Sequence, residues 1–249
     1  MNLSGKIALV TGGTRGIGAA TAIALAKEGA DVSIAARRLD EEATRVRDAI
    51  VALGRRCELI QADIGKTDDV NGAVRETESR LGTVDVLVHS AGGPVNGGLF
   101  DITPEMWQSA LDVHVTAVFH LCRAVIPAMR KKKEGAIILI SSTAGIRGIV
   151  TNVAYQVAKG ALPQFTRALA REFANDNIRI NCVAPGVVWT EFHKTMTPEQ
   201  RRLNLEQRIP LHREGAPSDV ADLILTLVKN EYITGETMTI DGGLTMRIA

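Results

Sequence analysis

Residues 7–18 read IALVTGGTRGIG, an apolar run that ends in a glycine-rich turn, and an Ala-rich segment follows. Glycines leave the backbone N–H groups of such a turn open to a pyrophosphate, and a helix N-terminus adds a favourable dipole. A lone glycine cluster is weak evidence, but a strand before it and a helix after it are the context that phosphate binding requires. The stretch therefore predicts a βαβ unit that holds a dinucleotide phosphate at Gly12, Thr14, Arg15, Gly16, Ile17 and Gly18.

Short β-branched runs alternate with longer amphipathic segments along the rest of the chain, which is typical of a parallel sheet buried on both faces. We predict strands at Ile7–Thr11, Asp31–Ala36, Cys57–Asp63, Val84–Ser90, Ala136–Ser141, Ile178–Ala184 and Thr237–Ile240. We predict helices at Gly16–Glu28, Asp40–Leu53, Thr67–Leu81, Pro104–Lys132, Asn152–Asn175 and Ser218–Val228. The pattern predicts one α/β domain over residues 1–249, doubly wound in the Rossmann manner around a mostly parallel seven-stranded sheet.

Composition narrows the classes of partner. The chain has 249 residues, 45% of them hydrophobic, which suits one large core. Its 29 Lys+Arg and 28 Asp+Glu form no long run of one sign, so we expect a small-molecule partner rather than nucleic acid or a membrane surface. No secretion signal and no uninterrupted apolar run of membrane-spanning length is evident, which favours a cytoplasmic protein. Three scattered cysteines, Cys57, Cys122 and Cys182, lack metal-ligand spacing and predict reduced thiols and no metal site.

Residues 187–215 fit neither a strand nor a core helix. They contain Trp189, Phe192, Met196 and an Arg-rich amphipathic piece, Glu199–Arg208. Ligands of open α/β sheets bind beyond the carboxyl ends of the strands, so an excursion after the sixth strand is expected to cover the site as a substrate lid. The alternative is a surface insertion without such a role.

The end of the second strand reads Ala35-Ala36-Arg37-Arg38. An acidic residue here would bind the ribose 2′-hydroxyl of NAD, whereas Arg37 with Arg15 suits the 2′-phosphate of NADP(H). NADP(H) is therefore the expected cofactor. The alternative is that Arg37 and Arg38 are only solvated residues at the start of a helix, and that the protein does not discriminate strictly between the two cofactors.

Tyr155 and Lys159 share one face of a predicted helix. The Lys159 ammonium and the positive nicotinamide of an oxidised cofactor would lower the pKa of the tyrosine hydroxyl from its usual value of about 10. Tyr155 would then exchange a proton with a carbonyl or alcohol oxygen. Ser141-Ser142, at the end of the fifth strand, would point a hydroxyl into the same crevice.

The glycine spacing Gly-x-x-x-Gly-x-Gly, together with the serine, tyrosine and lysine, resembles the short-chain dehydrogenase/reductase family over essentially the whole chain. Within the family the pattern is most similar to the 3-oxoacyl-acyl-carrier-protein reductases. The resemblance implies a homotetramer and a catalytic role for Ser142 rather than Ser141. It also implies that Lys159 and Tyr155 contact the cofactor, with further cofactor contacts at Asp63, Ile64, Ala91, Gly92, Pro185, Gly186, Val188 and Thr190.

The sequence departs from the family pattern at two places. Ser90 stands where the family usually has Asn, and His114 stands where a catalytic Asn is expected. An imidazole there could titrate near its reference pKa of about 6.5 and serve a proton relay, or it could simply fill the space. Pro163 leaves the Lys159 carbonyl without its usual helical donor, which predicts a local bend and another partner for that carbonyl.

These features predict an NADP(H)-dependent oxidoreductase that interconverts a carbonyl and an alcohol, with 3-oxoacyl thioesters among the candidate substrates. Arg130, Lys131, Lys132, Lys133 and Arg171 could attract an acidic carrier protein, or they could be ordinary solvated residues. The alternatives are a cofactor-binding regulator with little or no turnover, prompted by His114 and Ser90, and an epimerase or dehydratase, for which no base is evident.

Overall fold

The computed structural model describes residues 1–191 and 196–246. Its strands are β1 (Ile7–Thr11), β2 (Asp31–Ala36), β3 (Cys57–Gln61), β4 (Val86–His89), β5 (Gly135–Ile140), β6 (Ile178–Pro185) and β7 (Thr237–Ile240). Its α-helices are α1 (Gly16–Lys27), α2 (Glu41–Ala52), α3 (Thr67–Arg80), α4 (Pro104–Leu111), α5 (Ala117–Lys132), α6 (Val153–Phe173), α7 (Pro198–Leu203) and α8 (Pro217–Lys229).

The seven strands form one sheet in the order β3-β2-β1-β4-β5-β6-β7, and all six pairings are parallel. The predicted doubly wound α/β fold is therefore confirmed. The chain leaves β1 in one direction along the sheet for β2 and β3, and it returns to the other side of β1 with β4. Ligands of open α/β sheets bind at the carboxyl ends of the strands where the order reverses, which here lies between β1 and β4.

Each face of the sheet is covered by a helical layer, because alternate side chains of a strand point to opposite faces. In β1, Leu9 belongs to the core that α3, α5 and α6 cover, whereas Ala8 and Val10 belong to the core under α1, α2 and α8. All five residues of this strand are buried, which explains its continuous apolar character.

The predicted helix Pro104–Lys132 contains a π-helical turn, Asp112–Thr116, between α4 and α5. Such wider turns often lie at functional sites, and apolar periodicity does not reveal them. The turn places His114 in the interior, where it is 2% exposed.

In the part of the chain that the structure describes, one helical stretch passes a length and composition test for a membrane span: Pro104–Lys132, with a mean hydropathy of 1.3 in its best window. The test averages over a window, so it does not need an uninterrupted apolar run. Leu121, Val125 and Met129 from this stretch are fully buried against the sheet. We therefore interpret it as a core helix of the α/β layer.

Candidate active site

One cleft at the carboxyl edge of the sheet is lined by all the residues that the sequence singled out for cofactor binding and catalysis. The cofactor set comprises Gly12, Thr14, Arg15, Gly16, Ile17, Gly18, Arg37, Asp63, Ile64, Ala91, Gly92, Tyr155, Lys159, Pro185, Gly186, Val188 and Thr190. Ser142 and His114 line the same cleft. The fold thus brings together residues that are far apart in the sequence.

The glycine-rich turn leaves no room for side chains at two positions. A Cβ atom on Gly12 would lie 2.7 Å from the Ala91 Cα atom, and one on Gly18 would lie 2.2 Å from the Gly12 carbonyl oxygen. These close approaches place the glycine-rich turn against the loop that follows β4, and the first turn of α1 against the glycine-rich turn. They also leave the N-terminus of α1, which begins at Gly16, facing the cleft. Free N–H groups at a helix N-terminus suit an anionic phosphate.

The end of the cleft next to β2 holds both basic and acidic groups. Arg15 forms ion pairs with Asp40 at 2.5 Å and with Glu42 at 3.0 Å. Arg37 and Arg38 are exposed. The strand end Ala35–Arg38 carries no carboxylate, but Asp40 lines the cleft beside these arginines. The motif at Ala35–Arg38 did not reveal Asp40 because it lies beyond the strand end, as the N-cap of α2.

Asp63 and Ile64 lie in the loop after β3 rather than at the end of that strand. The Asp63 amide donates to Asp69 at 2.8 Å, and the Asp63 side chain accepts from the Gly65 amide at 3.1 Å. These side-chain contacts replace strand pairing and shape the wall of the cleft. Ile64 is buried in the core and also lines the cleft.

Ser142 and Tyr155 are hydrogen-bonded to each other at the centre of the cleft. Ser142 Oγ also accepts from the Ala144 amide at 3.1 Å, so its proton is available to the tyrosine oxygen or to a ligand. Burial raises the pKa of Tyr155 to about 12, while the hydrogen bond from Ser142 lowers it. The residues of the chain therefore do not lower the pKa of Tyr155, as the sequence analysis expected, but leave it raised.

Lys159 is buried beside Tyr155, with its Nζ atom 5.7 Å from the centre of the phenol ring. Burial lowers the pKa of Lys159 to about 8. Its Nζ atom donates to the Ile140 carbonyl at 2.7 Å, and its own carbonyl accepts from Ser141 Oγ at 2.7 Å. The alternative partner that Pro163 was predicted to require is thus Ser141. The two bonds fasten α6 to the end of β5.

His114 packs edge-on against Tyr155, with ring centres 5.6 Å apart. Its Nε2 atom lies 3.2 Å from the Gly93 carbonyl oxygen, so Nε2 carries the proton and Nδ1 is an acceptor, for which the described residues offer no partner. Burial first, and then the Lys159 charge, lower the pKa of His114 to about 2. The expectation that this imidazole could titrate near its reference pKa is wrong, because the site keeps it neutral.

A second buried histidine, His89, was missed by the sequence reasoning. Its Nε2 atom is 3.1 Å from the Val113 carbonyl oxygen in the π-helical turn, and its Nδ1 atom is 2.9 Å from Thr11 Oγ1. The Ala91 amide donates to the same Thr11 oxygen at 3.3 Å. One chain of hydrogen bonds therefore joins β1, the loop after β4 and the turn that carries His114. The sequence feature that could have pointed to His89 is its position next to Ser90, which departs from the family pattern.

The residues after β6 form the remaining wall. Trp189 and Gly215 are joined by a 2.9 Å backbone hydrogen bond, which ties the start of the 187–215 segment to its end. Between them lie α7 and a π-helical turn at Asn204–Arg208, where the sequence analysis described only an amphipathic piece, Glu199–Arg208. Arg201 stacks on Trp189 at 4.1 Å and pairs with Glu214. Phe192, also expected in the lid, lies outside the described residues.

The residues of the cleft fit a dinucleotide. A glycine turn without room for side chains leads to a helix N-terminus, exposed arginines lie at the end of the cleft next to β2, and a buried acceptor, His114 Nδ1, lies beside Gly92. Residues 1–191 and 196–246 contain no cluster of three or more His, Cys, Asp or Glu side chains suited to a metal ion. The polar groups at the centre of the cleft are instead those of proton transfer: two hydroxyls and a lysine.

Comparison with known protein families and sequences gives a consistent result. A family model described as Enoyl-(Acyl carrier protein) reductase matches residues 12–245. The chain is 35% identical to the 3-oxoacyl-[acyl-carrier-protein] reductase of Chlamydia muridarum, covering 97% of this chain and 98% of that protein. It is also 35% identical to the dehydrogenase/reductase SDR family member 4 of Oryctolagus cuniculus, covering 99% of this chain and 96% of that protein.

Solved structures agree with this similarity. A blue fluorescent protein from a metagenomic library, in complex with NADPH, superposes with a TM-score of 0.92 at 34% identity, covering 98% of this chain and 100% of that one. The L-sorbose reductase of Gluconobacter frateurii, complexed with NADPH and L-sorbose, superposes with a TM-score of 0.91 at 29% identity, with complete coverage of both chains.

Proposed function

Because the chain belongs to the short-chain dehydrogenase/reductase family, we propose that it is an NADP(H)-dependent oxidoreductase that reduces a carbonyl to an alcohol or catalyses the reverse reaction. The observation that carries the proposal is the arrangement of three side chains in one cleft. Ser142 is hydrogen-bonded to Tyr155, and Lys159 is buried beside the phenol ring. The NADPH complexes of two similar structures support the choice of cofactor.

Tyr155 is the proposed proton donor in reduction and acceptor in oxidation. Its hydroxyl is protonated at neutral pH, because burial raises its pKa to about 12, so the reductive direction starts with the proton in place. Ser142 would orient the substrate oxygen through the proton that its contact with Ala144 leaves free. Bound NADP(H) would supply or accept the hydride.

Lys159 is proposed to stabilise the phenolate after the proton leaves Tyr155. Its pKa of about 8 leaves most of the ammonium charged at neutral pH, so the charge is present when it is needed. His114 would support the site as a neutral acceptor through Nδ1 rather than as a titrating relay. A metal ion is not needed for these steps.

The cofactor is proposed to lie along the cleft. Gly12, Thr14, Gly16, Ile17 and Gly18 would hold the pyrophosphate at the N-terminus of α1. Further contacts would come from Arg15 and Arg37 at the 2′-phosphate, and from Asp63 and Ile64 at the adenine. Ala91 and Gly92 would let the cofactor approach, Pro185, Gly186 and Val188 would contact the nicotinamide end, and Thr190 would reach toward the pyrophosphate.

For the substrate, we propose 3-oxoacyl thioesters as the first class to examine, because several curated relatives are named 3-oxoacyl-[acyl-carrier-protein] reductases. Residues 187–215 are the proposed lid over this substrate, since Met196, Leu203 and Asn204 line the cleft. A sugar or another small ketone is the competing class, because L-sorbose is bound in a similar reductase.

Carrier-protein docking finds less support at the basic segment that ends α5. Arg130 and Lys133 both pair with Asp176, and Lys132 pairs with Asp85 at 2.8 Å. These pairs reduce the charge that an acidic carrier would meet. A 3-oxoacyl thioester of a small thiol would not need a positively charged docking surface. A cytoplasmic homotetramer remains our proposal for location and assembly, on the resemblance to the family.

The test is consumption of NADPH and of NADH by the purified protein against a panel of ketones. The panel contains a 3-oxoacyl thioester on a small thiol, the same acyl group on a carrier protein, and L-sorbose. Turnover with NADPH above that with NADH supports the proposal, and the preferred ketone identifies the substrate class. Tight NADPH binding with no turnover across the panel would instead favour a cofactor-binding regulator.

A further inference from the structure

The Arg15 guanidinium at the adenosine end of the cleft is held by two carboxylates. Its Nη2 atom lies 2.5 Å from Asp40 and its Nε atom 3.0 Å from Glu42. Both contacts lie on the Nε–Nη2 edge of the guanidinium. The Asp40 carboxylate is firmly ionised, because hydrogen bonds from the α2 backbone, led by Ala43, and the charge of Arg15 lower its pKa.

Arg37 and Arg38 lie at the same end of the cleft and differ from Arg15 in one respect. The structure gives neither side chain a hydrogen bond or an ion pair with the described residues, and both are exposed. A 2′-phosphate would therefore meet arginines of two kinds. Arg37 and Arg38 are available at once, whereas Arg15 must exchange or share its carboxylate partners.

We propose that Asp40 and Glu42 are specificity-determining residues that compete with the 2′-phosphate of NADP(H) for Arg15 and so limit the preference for NADPH over NADH. The inference rests on the proposed function, because it assumes that a nicotinamide dinucleotide binds in this cleft. A carboxylate beside a phosphate also repels it directly, and this repulsion acts in the same direction. NADH lacks the phosphate, so its affinity does not depend on the state of Arg15.

The substitutions can remove the charges without damaging the helix. Asp40 is the N-cap of α2 and accepts from the amides of Glu42 and Ala43, and Asn is an equally good N-cap residue. Asp40→Asn with Glu42→Gln therefore keeps the cap and removes two negative charges. Asp48→Asn is the matched control, because Asp48 is an exposed carboxylate of the same helix that pairs with Arg47.

The readout is equilibrium binding by titration calorimetry, with NADPH, NADH and 2′,5′-ADP as probes and no substrate present. The two ion pairs are exposed and individually weak, so we expect the double variant to bind NADPH and 2′,5′-ADP about fivefold more tightly than the wild type. NADH affinity should change by less than about twofold, and Asp48→Asn should leave all three affinities unchanged within that margin. In an Arg15→Met background, the gain should shrink to the part that direct repulsion contributes, below about twofold.

Three results would overturn the inference. NADPH affinity could stay the same or fall in the double variant, which would mean that the carboxylates position Arg15 for the phosphate. The gain could survive undiminished in the Arg15→Met background, or Asp48→Asn could reproduce it, and either result would show that Arg15 is not the contested group. The wild-type affinities test the proposed function separately: equal binding of NADPH and NADH would remove the cofactor preference, while 2′,5′-ADP would still report on competition for Arg15.

Discussion

Replacing Ser141 with Ala removes the side-chain donor that satisfies the Lys159 carbonyl. In a regular helix that carbonyl would accept from the amide of residue 163, but Pro163 has no N–H. Ser141 is 2% exposed, and its hydroxyl donates to the carbonyl at 2.7 Å. Ser141→Ala therefore leaves a buried carbonyl without its hydroxyl donor.

The size of the loss follows from that burial. A buried polar group left unsatisfied costs about 1–3 kcal/mol, so Ser141→Ala should lower the free energy of unfolding by that amount. Pro163→Ala restores a backbone N–H at the position from which the carbonyl normally accepts. In that background, Ser141→Ala should cost about 1 kcal/mol less than in the wild type, a coupling energy that a double-mutant cycle can resolve.

The assay is urea unfolding of the wild type, the two single variants and the double variant, each followed by circular dichroism and by fluorescence. Ser218→Ala is the control, because Ser218 is exposed at the start of α8, and it should change stability by less than about 0.5 kcal/mol. The reasoning is refuted if Ser141→Ala costs no more than this control, or if its cost is the same in the wild type and in the Pro163→Ala background.

Three further predictions concern the centre of the cleft. Gly92→Ala would place a Cβ atom 2.1 Å from His114 Cε1 at a φ of +136°, so it should destabilise the protein by about 2–5 kcal/mol. Gly54→Ala is the control, because its Cβ atom meets no atom within 4 Å, and it should cost about 1 kcal/mol. Equal losses of stability on urea unfolding would contradict the packing around Gly92. His114→Asn should leave the pH profile of kcat/KM unchanged between about pH 5 and 9, because a pKa of about 2 keeps the imidazole neutral in that range. If the wild-type profile has a limb near pH 6.5 that the variant lacks, the imidazole titrates and the prediction is wrong. Lys159 binds its proton less tightly in the folded protein, where its pKa is about 8, than in the unfolded chain, where it is 10.5. The free energy of unfolding of the wild type, relative to that of Lys159→Met, should therefore rise by about 2–3 kcal/mol from pH 7 to pH 10. A difference between the two proteins that stays flat or falls would contradict the burial of the charge.

The fold was predictable from the sequence because each of its determinants is local. Buried parallel strands appear in the sequence as short apolar runs, and a glycine turn between a strand and a helix is typical of the first βαβ unit of this fold. The strand ends at the cleft were predicted less well. β3 was expected to reach Asp63 but ends at Gln61, because the Asp63 amide donates to the Asp69 side chain instead of a neighbouring strand. Side-chain competition of this kind leaves no trace in an apolar pattern.

The sequence predicted which residues line the cleft, whereas the partners of these residues were not predictable. Ser142, Tyr155 and Lys159 follow from spacing and from resemblance to a family. The pairing of Arg15 with Asp40 joins residues 25 positions apart, and the bond from His89 to Val113 depends on a π-helical turn. Both need the three-dimensional arrangement. The pKa of the buried His114 likewise depends on surroundings that a reference value does not contain.

The central claim is that Tyr155 transfers the proton in a reaction for which NADPH supplies the reducing equivalents. The most direct test is single-turnover oxidation of bound NADPH by the best ketone of the panel, for the wild type and for Tyr155→Phe, with NADPH affinity measured for both. We expect the Phe variant still to bind NADPH but to oxidise it at least about a hundredfold more slowly, the usual contribution of a general acid. A Phe variant that oxidises NADPH at the wild-type rate would contradict the account.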